Sequence, residues 1–179
     1  MVTTTKLTLE QFLALPETKP YCEYIDGEAV PKPMANKPHG NLVTRLAARF
    51  DTYMDRSGGS GGPELSVLLR DAVRDRVLLP DMAYWAPGRP TGDYPLAPPT
   101  LAVEVRSPSQ TLEDQRAKCR FYRSHDVDVA WLVDPDSRTV EVFEAGRDGI
   151  ALSVGAALES PHLPGFALLL DDLFAVLDR

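Results

Sequence analysis

Two carboxylates stand where the surrounding sequence argues against charge. In "LLPDMAYW" (78–85) Asp81 follows a proline inside an apolar, strand-forming run. In "TLAVEVRSPS" (100–109) Glu104 lies between two valines near the end of what reads as a buried strand. Side chains alternate across a strand, so Val103 and Val105 face one side while Ala102, Glu104 and Arg106 face the other. Pro80 removes a backbone donor, which marks a strand edge or a bulge. If the two strands pair, both acids meet at a disrupted end of a sheet. Carboxylates brought together repel when ionised, and such a pair is stable chiefly when it shares a proton or binds a cation. A hard ion such as Mg²⁺ or Mn²⁺, held by one or two carboxylates with waters and phosphate oxygens, fits that chemistry.

Lys118 is the third candidate. Of five lysines, four (Lys6, Lys19, Lys32 and Lys37) fall in the first 37 residues, against fourteen arginines spread over the rest. Lys118 lies in the helical run "TLEDQRAKCRFYRSH", one turn after Asp114 and at the flank of a stripe formed by Leu112, Cys119 and Tyr122. From there its stem can lean on the core while its ammonium points at the sheet end. It would then steady a water nucleophile or a phosphate charge. Plainer roles stand beside these. Asp81 can be a turn carboxylate satisfied by backbone donors, Glu104 can pair with Arg106 or Lys118, and Asp114 offers Lys118 an ordinary helical salt bridge. Trp85, Trp131 and Cys119 read as core residues.

The elements that must position these residues follow from pattern. "LTLEQFLALP" reads as a short helix with Thr8 and Gln11 at capping-box spacing and Pro16 stopping it. "YCEYIDGEAV" is a hairpin around Asp-Gly. Leu42, Leu46, Phe50 and Tyr53 recur at helical spacing in "HGNLVTRLAARFDTYMDR", with Arg45, Arg49 and Arg56 on another side. Then come strands at "ELSVLLR" and "RVLLPDMAYW" joined by a polar turn at "DAVRD", a Pro-rich loop, the Glu104 strand, the Lys118 helix, and strands "VDVAWLVD" and "TVEVFEA". The tail "HLPGFALLLDDLFAVL" should pack back on the core. Three neighbouring strands followed by a helical crossover predict an α/β or α+β architecture, a mixed sheet with helices against its faces.

Composition sets the limits. A chain of 179 residues, 44% hydrophobic and 25% charged, suits one globular domain, with residues 1–20 as a short helical arm. No run is long and apolar enough to suggest a membrane span or secretory leader, and Cys22 and Cys119 lack metal-site or disulfide spacing, so a reducing cytoplasm is expected. The net charge of −7 argues against a protein that coats nucleic acid through bulk attraction, but leaves room for a local basic cluster. Arg45, Arg49, Arg116, Arg120 and Arg123 are the candidates for it.

Taken in order, "LTLEQFLALP", "YCEYIDGEAV", "HGNLVTRLAARF", "PDMAYW", "LAVEVRSPS" and "VAWLVDPDSRTVEVF" resemble the Uma2 family within the PD-(D/E)XK nuclease superfamily, over nearly the whole chain. The resemblance implies a restriction-endonuclease-like fold and Mg²⁺- or Mn²⁺-dependent phosphodiester hydrolysis, with nucleic acid, DNA first, as substrate. It puts Asp81 and Glu104 at metal-ligand positions and gives Lys118 the catalytic lysine's role. The superfamily's usual E-x-K reads Glu104-Val105-Arg106 here, and arginine stays protonated, so the lysine is expected on the following helix. Glu64 and His39 also match recurring positions, Glu64 as a further metal ligand or a surface acid, His39 as a helix-entry residue. By superfamily analogy a homodimer would present paired sites to duplex DNA. Two other classes remain open: a degenerate nuclease-fold module that binds nucleic acid or protein without cutting, and a glycosidase using Asp81 and Glu104 as an acid/base pair.

Overall fold

The computed structural model describes residues 6–71 and 75–179. The polar turn expected at "DAVRD" falls largely on residues 72–74, outside the described residues. Local signals set the first elements. The Thr8 hydroxyl accepts from Gln11 N and the Gln11 side chain accepts from Thr8 N, so the expected capping box opens α1 (Leu9–Leu13). Asp26 and Gly27, both at positive φ, turn β1 (Cys22–Ile25) back into β2 (Glu28–Pro31). Asn36 caps α2 (Lys37–Ser57), which buries Leu42, Leu46, Phe50 and Tyr53 as their spacing predicts.

The chain continues through β3 (Ser60–Gly62), β4 (Val67–Leu69), β5 (Arg76–Leu78), β6 (Met82–Trp85), β7 (Leu101–Val105), α3 (Leu112–Ser124), β8 (Val129–Asp134) and β9 (Thr139–Glu144). It ends with β10 (Arg147–Ser153), β11 (Ala157–Leu158), β12 (Leu168–Leu169), α4 (Leu170–Phe174) and a 3₁₀ turn over Ala175–Asp178. Six strands form a mixed sheet in the order β10-β9-β8-β7-β6-β3, in which only β7 and β8, joined through α3, run parallel. The order β2-β1-β5-β4 makes a second, antiparallel sheet.

Two expectations change here. "RVLLPDMAYW" is two strands, β5 and β6, in different sheets, and Pro80 and Asp81 form the corner between them. The proline marks a break rather than a bulge, because the peptide units around it leave the ladder. "ELSVLLR" contributes only β4, and Glu64 precedes it in a turn at φ 53°. β10 was not legible, since most of its side chains are exposed.

The large sheet is covered on both faces. On one, α2 and the tail residues Leu163, Phe166, Leu170 and Phe174 join Met82, Tyr84, Leu101, Val103 and Trp131 in one cluster. On the other, Cys119 and Tyr122 of α3 meet Ala83, Trp85, Ala102, Ala130 and Leu132, with Val67 and Leu78 of the smaller sheet. Both tryptophans and Cys119 are core residues, as read. Phe50 is at the centre of the first cluster, its ring stacked on Phe166 at 4.7 Å and close to Tyr84 and Trp131 at 5.8 and 6.0 Å. We therefore expect Phe50→Ala to destabilise the protein by about 3–5 kcal/mol in urea unfolding; a loss below about 1 kcal/mol would show that this cluster is not the core.

Candidate active site

A chain that passes from one sheet to another leaves peptide groups without ladder partners, and at Leu79 two charged side chains supply them. Leu79 N donates to Glu23 Oε1 (2.8 Å), and Leu79 O accepts from Lys32 Nζ (2.6 Å). Both charges come from the β1–β2 hairpin, Glu23 from β1 and Lys32 from just past β2. Asp81, two residues on, reaches across to β7 and accepts from Val105 N (2.7 Å) through Oδ2.

Asp81 and Glu104 are paired with different lysines. Lys32 Nζ donates to Asp81 Oδ1 (2.8 Å), and His39 Nε2 donates to Asp81 Oδ2 (3.1 Å). That assignment leaves His39 Nδ1 buried without a partner among the described residues. Lys118 Nζ bridges Glu23 Oε1 (2.7 Å) and Glu104 Oε1 (2.9 Å), and the Tyr122 hydroxyl donates to the same Glu104 oxygen (2.7 Å). Among the described residues nothing donates to Glu104 Oε2.

The electrostatics follow from this set. Three carboxylates face two ammoniums, so the carboxylates outnumber the lysines by one formal charge. Burial works to raise the Asp81 pKa, but the His39 hydrogen bond and the Lys32 charge overcome it and hold the carboxyl well below its usual range. Glu104 goes the other way: burial pushes its pKa up, and the charges of Asp81 and Glu23 add to that against Lys118. Burial opposes the Lys118 charge, yet Glu104 and Glu23 raise its pKa well above that of free lysine. Lys118 therefore stays protonated and cannot serve as a base.

Asp81, Glu104, Lys32, His39, Ser107 and Gln110 line one cavity of about 330 Å³. The two acids that the sequence singles out thus line the same cavity, through a register it did not specify: Met82 pairs with Val103, which places Asp81 next to the end of β7. Arg106 is not part of the group. Its guanidinium pairs with Asp134 (2.7 Å) and with Asp136 at the β8–β9 turn, so of the two partners read for Glu104, Arg106 or Lys118, the structure has Lys118. Thr111 caps the helix by accepting from Asp114 N and donates its hydroxyl to Asp114 Oδ2, and Lys118 is left to the buried acids. Glu64 lines the cavity but is exposed, and no group of three or more acidic, histidine or cysteine residues among the described ones is arranged to hold a metal ion. His39 is both helix-entry residue and Asp81 partner.

Glu23, Lys32 and the Tyr122 hydroxyl were not foreseen. Glu23 alone carried a signal, a charge on a half-buried strand. Four of the five arginines nominated for nucleic acid are held within the chain, Arg49 by Asp172, Arg116 by Glu141, Arg120 by Asp148 and Arg123 by Val127 O.

Asp81 and Glu104 share one cavity, the carboxylates outnumber the lysines by one, and among the described residues nothing donates to Glu104 Oε2, so these two acids are the residues that could hold a cation. The mixed sheet with helices on both faces has a restriction-endonuclease-like architecture. The chain belongs to the Uma2 family, described as "Putative restriction endonuclease", whose model matches residues 9–171. Among solved structures it is similar to "a putative nuclease belonging to DUF820" from Anabaena variabilis, with a TM-score of 0.83 and 24% identity over 96% of this chain and 99% of that one. No curated protein matches the chain.

Two outcomes follow. Lys118→Met strands Glu104 and Glu23 in the interior, so urea unfolding should show a loss of about 3–5 kcal/mol; a loss near the roughly 0.3–0.5 kcal/mol of a helical surface pair would refute the buried bridge. The folded Asp81 pKa lies below its unfolded value of about 3.9, so its contribution is complete above that pH and is lost as pH falls further. Between about pH 5 and pH 3 the native protein should therefore lose stability more steeply than Asp81→Asn; equal slopes in denaturant titrations would contradict the assignment.

Proposed function

We propose that the chain is a Mg²⁺- or Mn²⁺-dependent endonuclease that hydrolyses phosphodiester bonds of nucleic acid, DNA in the first instance. The observation that carries this reading is the pair Asp81 and Glu104 on one cavity, with no donor to Glu104 Oε2 among the described residues. Asp81 and Glu104 would hold the ion, and Glu64 on the cavity wall would reach it through water. When bound, such an ion polarises the phosphate and generates a hydroxide-like nucleophile. The chain's residues prepare for that chemistry. Val105 N, His39 and Lys32 fix the Asp81 carboxylate, while Tyr122 and Lys118 fix that of Glu104.

Lys118 acts by favouring the ionised form of Glu104, against the burial that opposes it, and by offsetting charge behind it. In the hydrolysis, water oxygen bonds to phosphorus, one phosphorus–oxygen ester bond breaks, and the leaving oxygen takes a proton. On this reading the chain is one nuclease domain working in the cytoplasm, and a two-fold dimer would offer two sites to a duplex. Among the described residues no helix is long and apolar enough to cross a membrane.

Purified protein incubated with single- and double-stranded DNA and RNA should cut in Mg²⁺ or Mn²⁺ and stop in chelator. Asp81→Ala and Glu104→Gln should each lower the rate by more than the roughly 10–100-fold cost of losing an outer partner of a metal ligand. Cutting that survives chelator, or both substitutions, would overturn the proposal. Nucleic-acid binding without cutting in either metal would favour a degenerate module instead.

A further inference from the structure

The two ammoniums of the site do not face the same way. Lys118 lies between Glu23 and Glu104 and borders a different cavity, shared with Gln115 and Phe121 and without Asp81. Arg106, two residues after Glu104, is drawn off by Asp134 and Asp136. Neither lines the cavity where Asp81 and Glu104 meet; Lys32 does, and so does the exposed Lys19, whose ammonium lies over the Tyr21 ring. Lys32 Nζ rests on Leu79 O and Asp81 Oδ1, which use two of an ammonium's three donors. Among the described residues nothing takes the third. The side chain is 12% exposed, so the charge is held in place yet borders the open cavity. Its backbone is fixed as well, because Lys32 N donates to Tyr21 O (2.8 Å) and extends the hairpin ladder beyond the Cys22–Pro31 pair.

Building on the reading of this cavity as a phosphodiester hydrolase site, we propose that Lys32 is the lysine that meets the substrate, giving its third N–H to a non-bridging oxygen of the phosphate beside Asp81 and Glu104. Lys118 acts through Glu104; Lys32 acts on the phosphate itself. A donor fixed before the reaction stabilises charge that grows on phosphate oxygens without reorganising, which is where such a group lowers a barrier most. The ammonium also screens Asp81, whose charge would otherwise repel the incoming anion.

The test uses the full chain and the phosphodiester dinucleotide dTpdT, which is too small to depend on a wider basic surface. With only five lysines in the chain, ¹⁵N-lysine labelling resolves the ammonium groups of the native protein. Titration with dTpdT should shift the Lys32 ammonium resonance and leave that of Lys118 in place. Lys32→Gln, which keeps neutral donors for Asp81 and Leu79, should bind dTpdT at least about 10-fold more weakly and cut an oligonucleotide on the order of 100-fold more slowly. Lys32→Arg should recover binding. A shift at Lys118 instead, no dTpdT binding by the native protein, or unchanged binding by Lys32→Gln would each overturn the proposal. The hydrolase reading fails separately. If native protein never cuts but its dTpdT binding is lost in Lys32→Gln, the phosphate contact stands without the reaction. If Lys32→Gln cuts at the native rate, the reaction stands and Lys32 has no part in it.

Discussion

The peptide units at Leu79 and Pro80 belong to neither sheet, and the way their polar groups are satisfied organises the rest of the site. Glu23 and Lys32 take the Leu79 N–H and carbonyl in place of a neighbouring strand. Buried charges are costly unless paired. Glu23 therefore binds Lys118, Lys118 binds Glu104, and Lys32 binds Asp81. The corner that lets the chain change sheets thus gathers three carboxylates and two ammoniums, of which Asp81, Glu104 and Lys32 line one cavity and Glu23 and Lys118 another. The same groups that complete the fold carry the proposed chemistry, so a change at the corner moves both.

The tension in that cluster is electrostatic. Both acids are buried, but Glu104 bears the burial penalty, while Asp81 is held ionised by Lys32 and His39. Native proteins retain such strain where it serves a purpose, and perturbed carboxylates lining a cleft mark functional sites. A divalent cation would relieve both the excess charge and the unpaired Glu104 oxygen. The likeness to the Anabaena variabilis structure extends over almost the whole of both chains and supports the fold; the local chemistry, rather than that likeness, supports the ion.

What the sequence made legible was charge in the wrong place. Asp81 after a proline and Glu104 between valines stood out because strands of that composition are buried, and β7 is buried at all five positions. Lys118 stood out by rarity, and α2 by the period of Leu42, Leu46, Phe50 and Tyr53. Lys32 and Glu23 left little trace, because their significance depends on how the first hairpin docks on a corner some fifty residues later. The split of "RVLLPDMAYW" between two sheets was hidden for the same reason: proline signals an interrupted ladder but not where the chain goes next. The pairing of the nominated arginines was hidden too, since sequence shows the cations and not the acids that tertiary structure sets against them, such as Glu141 against Arg116.

The central claim is that Asp81 and Glu104 jointly hold a divalent cation, and anomalous scattering from a crystal soaked in Mn²⁺ tests it without reference to substrate or turnover. The account predicts a manganese peak between the two carboxylates, with Glu104 Oε2 among its ligands and Lys118 still bridging Glu23 and Glu104. A crystal with manganese bound elsewhere and none between Asp81 and Glu104, each acid still paired only with its lysine, would contradict it.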